Sequence, residues 1–239
     1  MSLSSSPKVK IVASLAAANL LNLGRELRLL EEAQADGVHI DVSDGHFATD
    51  IGFGPSFVRA ISRATRLPVS VHLMVEEPSR LLEYYIEAGA SRIYVHPESK
   101  VNLTRALRRI KSLGGEAGIA LLPSTPISLA LEALLWADSL LLLSNCNSCY
   151  LEWDDSEFLE NIPARIFEAA NILKRRSLSI DLGVDGGIRK EFIPKIVEAG
   201  ANLLIMGSAI FSKGDPVGSI REIREILKAG QSNTKRVRE

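Results

Sequence analysis

The stretch Gly37-Val-His-Ile-Asp-Val-Ser-Asp-Gly-His-Phe47 alternates apolar Val38, Ile40 and Val42 with polar His39, Asp41 and Ser43. Period two marks a strand, here with one apolar face and one face carrying an imidazole and a carboxylate. Asp44-Gly45 ends the run. Such a polar face either meets water or surrounds something that needs it, because burying charge without a partner is costly. On this stretch alone both readings stand.

Outward from it, apolar strands alternate with amphipathic helices along the whole chain. Strands are expected over Lys8–Leu15, Val38–Ser43, Pro68–Met74, Arg92–His96, Glu116–Leu122, Leu140–Ser144, Leu178–Val184 and Asn202–Gly207. The helices between and after them are expected over Leu23–Ala35, Pro55–Arg63, Ser79–Ala88, Leu103–Ser112, Ile127–Trp136, Pro163–Lys174, Glu191–Ala199 and Val217–Leu227. Val-, Ile- and Leu-rich strands separated by helices imply a parallel sheet covered on its outer face. Eight such units in 239 residues fit a single-domain α/β fold, the (β/α)8 TIM barrel. The open doubly wound sheet is the alternative, but no G-x-G-x-x-G follows the first strand. A weak repeat agrees with the barrel: Glu32–Ile40, Glu87–Val95 and Glu198–Met206 each read as a helix end, a small-residue turn and an entering strand. The expected organisation is a disordered or vector-derived N-terminus over 1–7, the barrel over 8–229, and a polar, basic C-terminal tail over 230–239.

The totals narrow the function classes. Apolar residues make up 46% of the chain and charged residues 24%, enough for a large core under a soluble surface. With 28 basic against 29 acidic residues, nothing points to nucleic acid or to an anionic membrane. No apolar run is long enough to span a bilayer, and residues 1–7 contain no apolar leader. Two cysteines, Cys146 and Cys149, exclude a disulfide framework and fit a reducing compartment, so a cytoplasmic location is expected.

In a barrel the chemistry sits at the C-terminal ends of the strands. His39 and Asp41 on strand two, His72 on strand three and Asp185 after strand seven interrupt otherwise apolar runs there. Alternation puts His72 on the same face as His39 and Asp41, and groups Asp181, Gly183 and Asp185 on one face of strand seven. Singly, a strand histidine is more often a hydrogen-bonded core residue, and an Asp before Gly-Gly a turn residue. Four together on the lumen side favour a site, because unpaired buried carboxylates are expensive. Two imidazoles and two carboxylates supply a full donor set for zinc or another borderline divalent ion. A second feature is small residues at adjacent loops, Asp185-Gly-Gly-Ile188 and Gly207-Ser-Ala-Ile210. Backbone N–H groups of Gly186, Gly187, Gly207 and Ser208 are expected to bind a phosphate.

The segments His39–Phe47, Val71-His-Leu-Met74, Val184-Asp-Gly-Gly187 and Gly207-Ser-Ala-Ile-Phe211 resemble the ribulose-phosphate 3-epimerase family. Ala13-Ser-Leu15, Val95-His-Pro-Glu98 and Pro123-Ser-Thr-Pro126 extend the likeness over nearly the whole chain. The resemblance implies a metal-dependent isomerase that inverts C3 of a ketose phosphate of the ribulose 5-phosphate/xylulose 5-phosphate type. It implies one divalent ion, zinc foremost and Fe2+, Mn2+ or Co2+ as alternatives, on His39, Asp41, His72 and Asp185. Asp41 and Asp185 then exchange protons on opposite faces of C3 through a cis-enediolate, with Ser14 and Met74 against the substrate. It also implies a homo-oligomer, a dimer or a hexamer. Departures from the family pattern are Ser43 and Leu143 where it has methionine, Leu122 where it has asparagine, and a glycine-free acidic stretch, Ser144–Asp155, in place of its Gly-rich cover loop. These departures keep two alternatives in view: an epimerase of another sugar phosphate such as allulose 6-phosphate, or a non-catalytic sugar-phosphate-binding relative. A phosphate-binding lyase or decarboxylase is disfavoured, since no Lys stands at the end of strand two or three.

Overall fold

The structure, a computed structural model, describes residues 8–145 and 161–236. Eight strands run β1 Lys10–Ser14, β2 Gly37–Ser43, β3 Val69–Met74, β4 Arg92–Val95, β5 Glu116–Leu121, β6 Ser139–Leu143, β7 Asp181–Asp185 and β8 Leu203–Met206. All neighbours are parallel, and β1 pairs with β8 as well as β2, so the sheet closes into a barrel. The expected (β/α)8 architecture is the observed one.

The helices follow from local chemistry. They are α1 Leu23–Glu32, α2 Pro55–Ala64, α3 Leu82–Glu87, α4 Leu103–Ser112, α5 Ile162–Arg175, α6 Ile193–Glu198, α7 Ser208–Phe211 and α8 Pro216–Arg236. Helix α4 is the clearest case. The Asn102 side chain caps its start by accepting from the Arg105 N–H at 3.0 Å, and Ala106, Leu107 and Ile110 form the buried stripe. Arg109 and Lys111 lie in the last turn, where the helix dipole favours cations. The three repeat turns share one backbone geometry: Gln34, Gly89 and Gly200 all have positive φ, closing α1, α3 and α6 ahead of the next strand.

Strand seven begins three residues later than expected, at Asp181, and the helices expected over Ser79–Ala88 and Glu191–Ala199 each open as a 3-10 turn; two further segments differ more. The helix expected over Ile127–Trp136 is instead a pair of 3-10 turns, Ile127–Ala130 and Ala133–Trp136. Buried Ile127, Ala130 and Ala133 recur every third residue, which three residues per turn keeps on one face. The last helix continues to Arg236, beyond Leu227 and into the expected tail. Gly230 does not take the left-handed conformation that would stop it, and a helical Gly costs only about 1 kcal/mol.

Apolar packing occurs in two places. The larger core lies between sheet and helices and includes Ile40, Val71, Ile93, Leu107, Ile166 and Ile220. A second cluster fills the lumen: Val12, Tyr94, Ala120, Leu141, Leu143, Leu203 and Ile205. Gly118 makes room for it, since a Cβ there would run into the Tyr94 ring. At the N-terminal floor of the lumen, Asp181 takes Lys10 Nζ and Arg92 Nη2, each at 2.8 Å. The lumen is therefore plugged below and polar at its C-terminal mouth.

Candidate active site

Register alone brings the four rim residues together. On β2 and β3, His39 lies opposite Ser70 and Asp41 opposite His72; on β6 and β7, Leu143 lies opposite Asp185. His39 Nε2 stands 3.3 Å from Asp41 Oδ1 and 3.7 Å from Asp185 Oδ2. His72 Nδ1 stands 3.1 Å and 3.8 Å from the same two oxygens. One donor atom from each of the four falls within 4.8 Å of all the others. The polar face of β2 thus lines this cluster and is largely buried: His39 is fully buried and His72, beside it on β3, nearly so.

The arrangement fits a cation on its own chemistry. Ser70 Oγ donates to the Val38 carbonyl at 3.0 Å, so toward His39 Nδ1, 2.8 Å away, it can only accept. That places the His39 proton on Nδ1 and leaves Nε2 as a bare lone pair. Nε2 is buried, has no hydrogen-bond partner and points at two carboxylates. A lone pair facing carboxylate oxygens is repulsive unless a positive charge lies between them.

Electrostatics separate the two carboxyl groups. Burial would raise Asp41, but the His39 and His72 rings outweigh it and hold the group well below the usual carboxylate range. Burial and then the Asp41 charge push Asp185 up to about 7. His72 is lowered to about 4, mainly by burial. Burial pulls His39 down too, yet Asp41 and then Asp185 leave it raised: without a cation the carboxylates favour a proton on Nε2, the place that a metal ion would take.

The other expected residues surround this cluster. Ser14, at the end of β1, donates from Oγ to Asp41 Oδ2 at 3.1 Å. Met74 is buried at the end of β3 opposite Ser43, whose own hydroxyl is buried without a partner. Gly186 and Gly187 have positive φ (102° and 57°), and a Cβ on Gly186 would meet Asn145 Oδ1 at 2.6 Å. Gly207 follows β8 and faces Ala17 and Ser14. Ser208 opens the short helix α7. These four lie at the C-terminal ends of neighbouring β7 and β8, the same end as the cluster. Cys146, Cys149 and the acidic Glu152, Asp154 and Asp155 lie outside the described residues.

Sequence reasoning gave no role to His96 or Glu98. Arg92, Tyr94 and His96 share an alternation like that of the β2 face, which is the signal that could have found them. His96 is fully buried beneath the Phe47 ring, with centroids 4.8 Å apart. Burial would raise Glu98, but His96, Thr125 and the Leu122 N–H bring its carboxyl down to about 2.

The fold and this cluster define a barrel enzyme whose rim can hold a cation. The model of the ribulose-phosphate 3 epimerase family matches residues 10–211. The chain is 37% identical over 217 residues to ribulose-phosphate 3-epimerase of Bacillus subtilis, covering 90% of this chain and 98% of that protein. It is 36% identical over 213 residues to the chloroplastic ribulose-5-phosphate-3-epimerase of Arabidopsis thaliana, covering 88% and 74%. The chain belongs to the ribulose-phosphate 3-epimerase family, which makes it an isomerase of the epimerase class. Among solved structures, a 3-hexulose-6-phosphate synthase superposes with a TM-score of 0.67 at 18% identity over 91% of this chain and 99% of that one; this is a likeness of fold. Among the described residues no helix is long and apolar enough to cross a membrane.

Proposed function

We propose that the protein inverts C3 of a ketose phosphate, interconverting ribulose 5-phosphate and xylulose 5-phosphate, with Asp41 and Asp185 as the proton-exchanging pair. The observation that carries this reading is geometric: two carboxyl groups, Asp41 and Asp185, stand in one cluster with their donor oxygens within 4.8 Å of each other. One can take a proton from a substrate carbon and the other return one to it, the division of labour that epimerisation needs. Asp41 rises from β2 and Asp185 from β7, with β1 and β8 between them, so a carbon over the cluster can be approached from two sides.

His39, Asp41, His72 and Asp185 would hold a divalent ion, which would supply Lewis acidity to make a proton beside a carbonyl easier to remove. Two nitrogen and two oxygen donors suit zinc, with Fe2+, Mn2+ and Co2+ as alternatives. Ser14 donates to Asp41 from the side and so orients the carboxylate while remaining within reach of the substrate. Met74 closes the mouth on the β3 side. The backbone N–H groups of Gly186, Gly187, Gly207 and Ser208 bind the phosphate and fix the distance from it to the reacting carbon.

The test is proton exchange at C3 of ribulose 5-phosphate in D2O, followed by NMR on zinc-loaded protein. Wild type is expected to exchange the C3 hydrogen and form xylulose 5-phosphate. Asp41→Asn and Asp185→Asn are each expected to lower the rate about 10^3-fold or more. Loaded wild type that exchanges nothing at C3 would sink the assignment.

A further inference from the structure

A line of hydrogen bonds leads from the rim to the loop after β5. Glu98 Oε1 accepts from the Leu122 N–H at 3.0 Å and from the Thr125 hydroxyl. Its other oxygen, Oε2, stands 3.3 Å from His96 Nδ1. His96 Nε2 stands 2.7 Å from His72 Nε2, the two rings meeting edge to edge with centroids 4.9 Å apart and planes 30° apart. His72 then presents Nδ1 to Asp41 and Asp185.

Only one proton can lie between two ring nitrogens 2.7 Å apart, so the line has a direction. A backbone N–H cannot accept, so Leu122 fixes Glu98 Oε1 as an acceptor. The ionised carboxylate accepts again at Oε2, which requires the His96 proton on Nδ1. A neutral His96 is then bare at Nε2 and must accept from His72 Nε2–H. A neutral His72 is left with a bare Nδ1 facing the cluster. The opposite order would set a bare His96 nitrogen 3.3 Å from Glu98 with nothing to relieve it; the order given sets His72 Nδ1 3.1 Å from Asp41 Oδ1, where a cation between them relieves the repulsion.

We propose that Glu98 and His96 are positioning residues that set the tautomer of His72, so that its Nδ1 offers a lone pair to the bound cation. The inference rests on the metal reading of the rim. It gives His72 the counterpart of what Ser70 does for His39, by a longer route through a second imidazole.

Zinc binding to the full-length protein tests it, read by competition with a chromophoric chelator. In Glu98→Gln the amide oxygen keeps the Leu122 N–H, and the NH2 group turns to His96 and reverses the line. Zinc affinity is expected to fall 10- to 100-fold with far-UV circular dichroism unchanged. His96→Phe keeps a ring under Phe47 but cannot accept, and is expected to lose as much. The double variant should bind within twofold of His96→Phe, because Glu98 acts only through His96. Nitrogen-15 NMR of zinc-loaded wild type, which needs no variant, should show protons on His72 Nε2 and His96 Nδ1. The relay is overturned if those protons sit on the other nitrogens, if Glu98→Gln binds zinc as tightly as wild type, or if the two single losses multiply. Wild type that takes up no zinc and no other divalent ion overturns the metal reading itself, and the relay with it.

Discussion

His39 has two neighbours with opposite demands. At Nδ1 the Ser70 hydroxyl accepts; at Nε2 the ionised Asp41 carboxylate offers only lone pairs. Ser70→Ala removes the demand at Nδ1 and frees the ring to turn its proton toward Asp41. Zinc affinity in that variant is expected to fall about tenfold, and urea unfolding of the metal-free protein should show a loss of about 1 kcal/mol for the broken hydrogen-bond chain. Unchanged affinity would mean that the carboxylates, not Ser70, set the tautomer. The four rim residues were legible in the sequence because charge inside an apolar period-two run is costly and therefore conspicuous. Their tautomers were not. Those depend on Ser70 lying opposite His39 across β2 and β3, and on the Leu122 N–H turning toward Glu98, contacts made by chain segments far apart in sequence.

Asp36, between α1 and β2, ties three elements together. Its carboxylate accepts from the Ile11 N–H on β1 at 2.8 Å, pairs with Arg224 of α8, and meets Lys8 at 3.1 Å. Burial works against ionisation, but these partners outweigh it and leave the group below its usual value. A depressed carboxyl stabilises the fold fully above its unfolded pKa, about 4, and that share disappears as pH falls through the lower folded value. Asp36→Asn is therefore expected to lose about 2 kcal/mol at pH 7, with the gap to wild type closing below about pH 4. Urea titrations at a series of pH values check this; a gap that stays constant into acid would refute it. At this scale the sequence was a good guide wherever one period dominated, as over Leu103–Ser112, where the expected and observed helices coincide. It misled over Ile127–Trp136, where every-third-residue burial suits a 3-10 turn better than the helix expected there.

For the molecule as a whole, a cation bound by the four rim residues would join β2, β3 and β7, and so would hold the mouth of the barrel as well as serve the proposed chemistry. A ligand that binds the folded state alone stabilises by about 2.7 kcal/mol at a hundredfold excess over its Kd. For a chain of this size that is a melting-temperature rise of roughly 5–10 °C. Calorimetry with EDTA and then with zinc should show the rise in wild type and lose it in Asp185→Asn. An equal rise in both would place the zinc elsewhere. The closed barrel was legible from the count of strand–helix units, since eight parallel strands with their helices close readily in a chain of this length. The lumen plug was not, because Tyr94 and Gly118 fit each other only once β4 and β5 are paired.

The closure of β1 on β8 also has a consequence in time. Lys10 lies opposite Leu203, so nearly 200 residues separate the two halves of that seam. A ribosome adding roughly 5–20 residues per second exposes the first strand some 10–40 s before its second neighbour exists. During synthesis β1 therefore carries an open edge beside buried-to-be Val9 and Ile11, and the nascent chain is an unfinished sheet until its last quarter emerges. In that interval the unpaired edge of β1 is open to pairing with another copy of the chain, a route that closure onto β8 then removes.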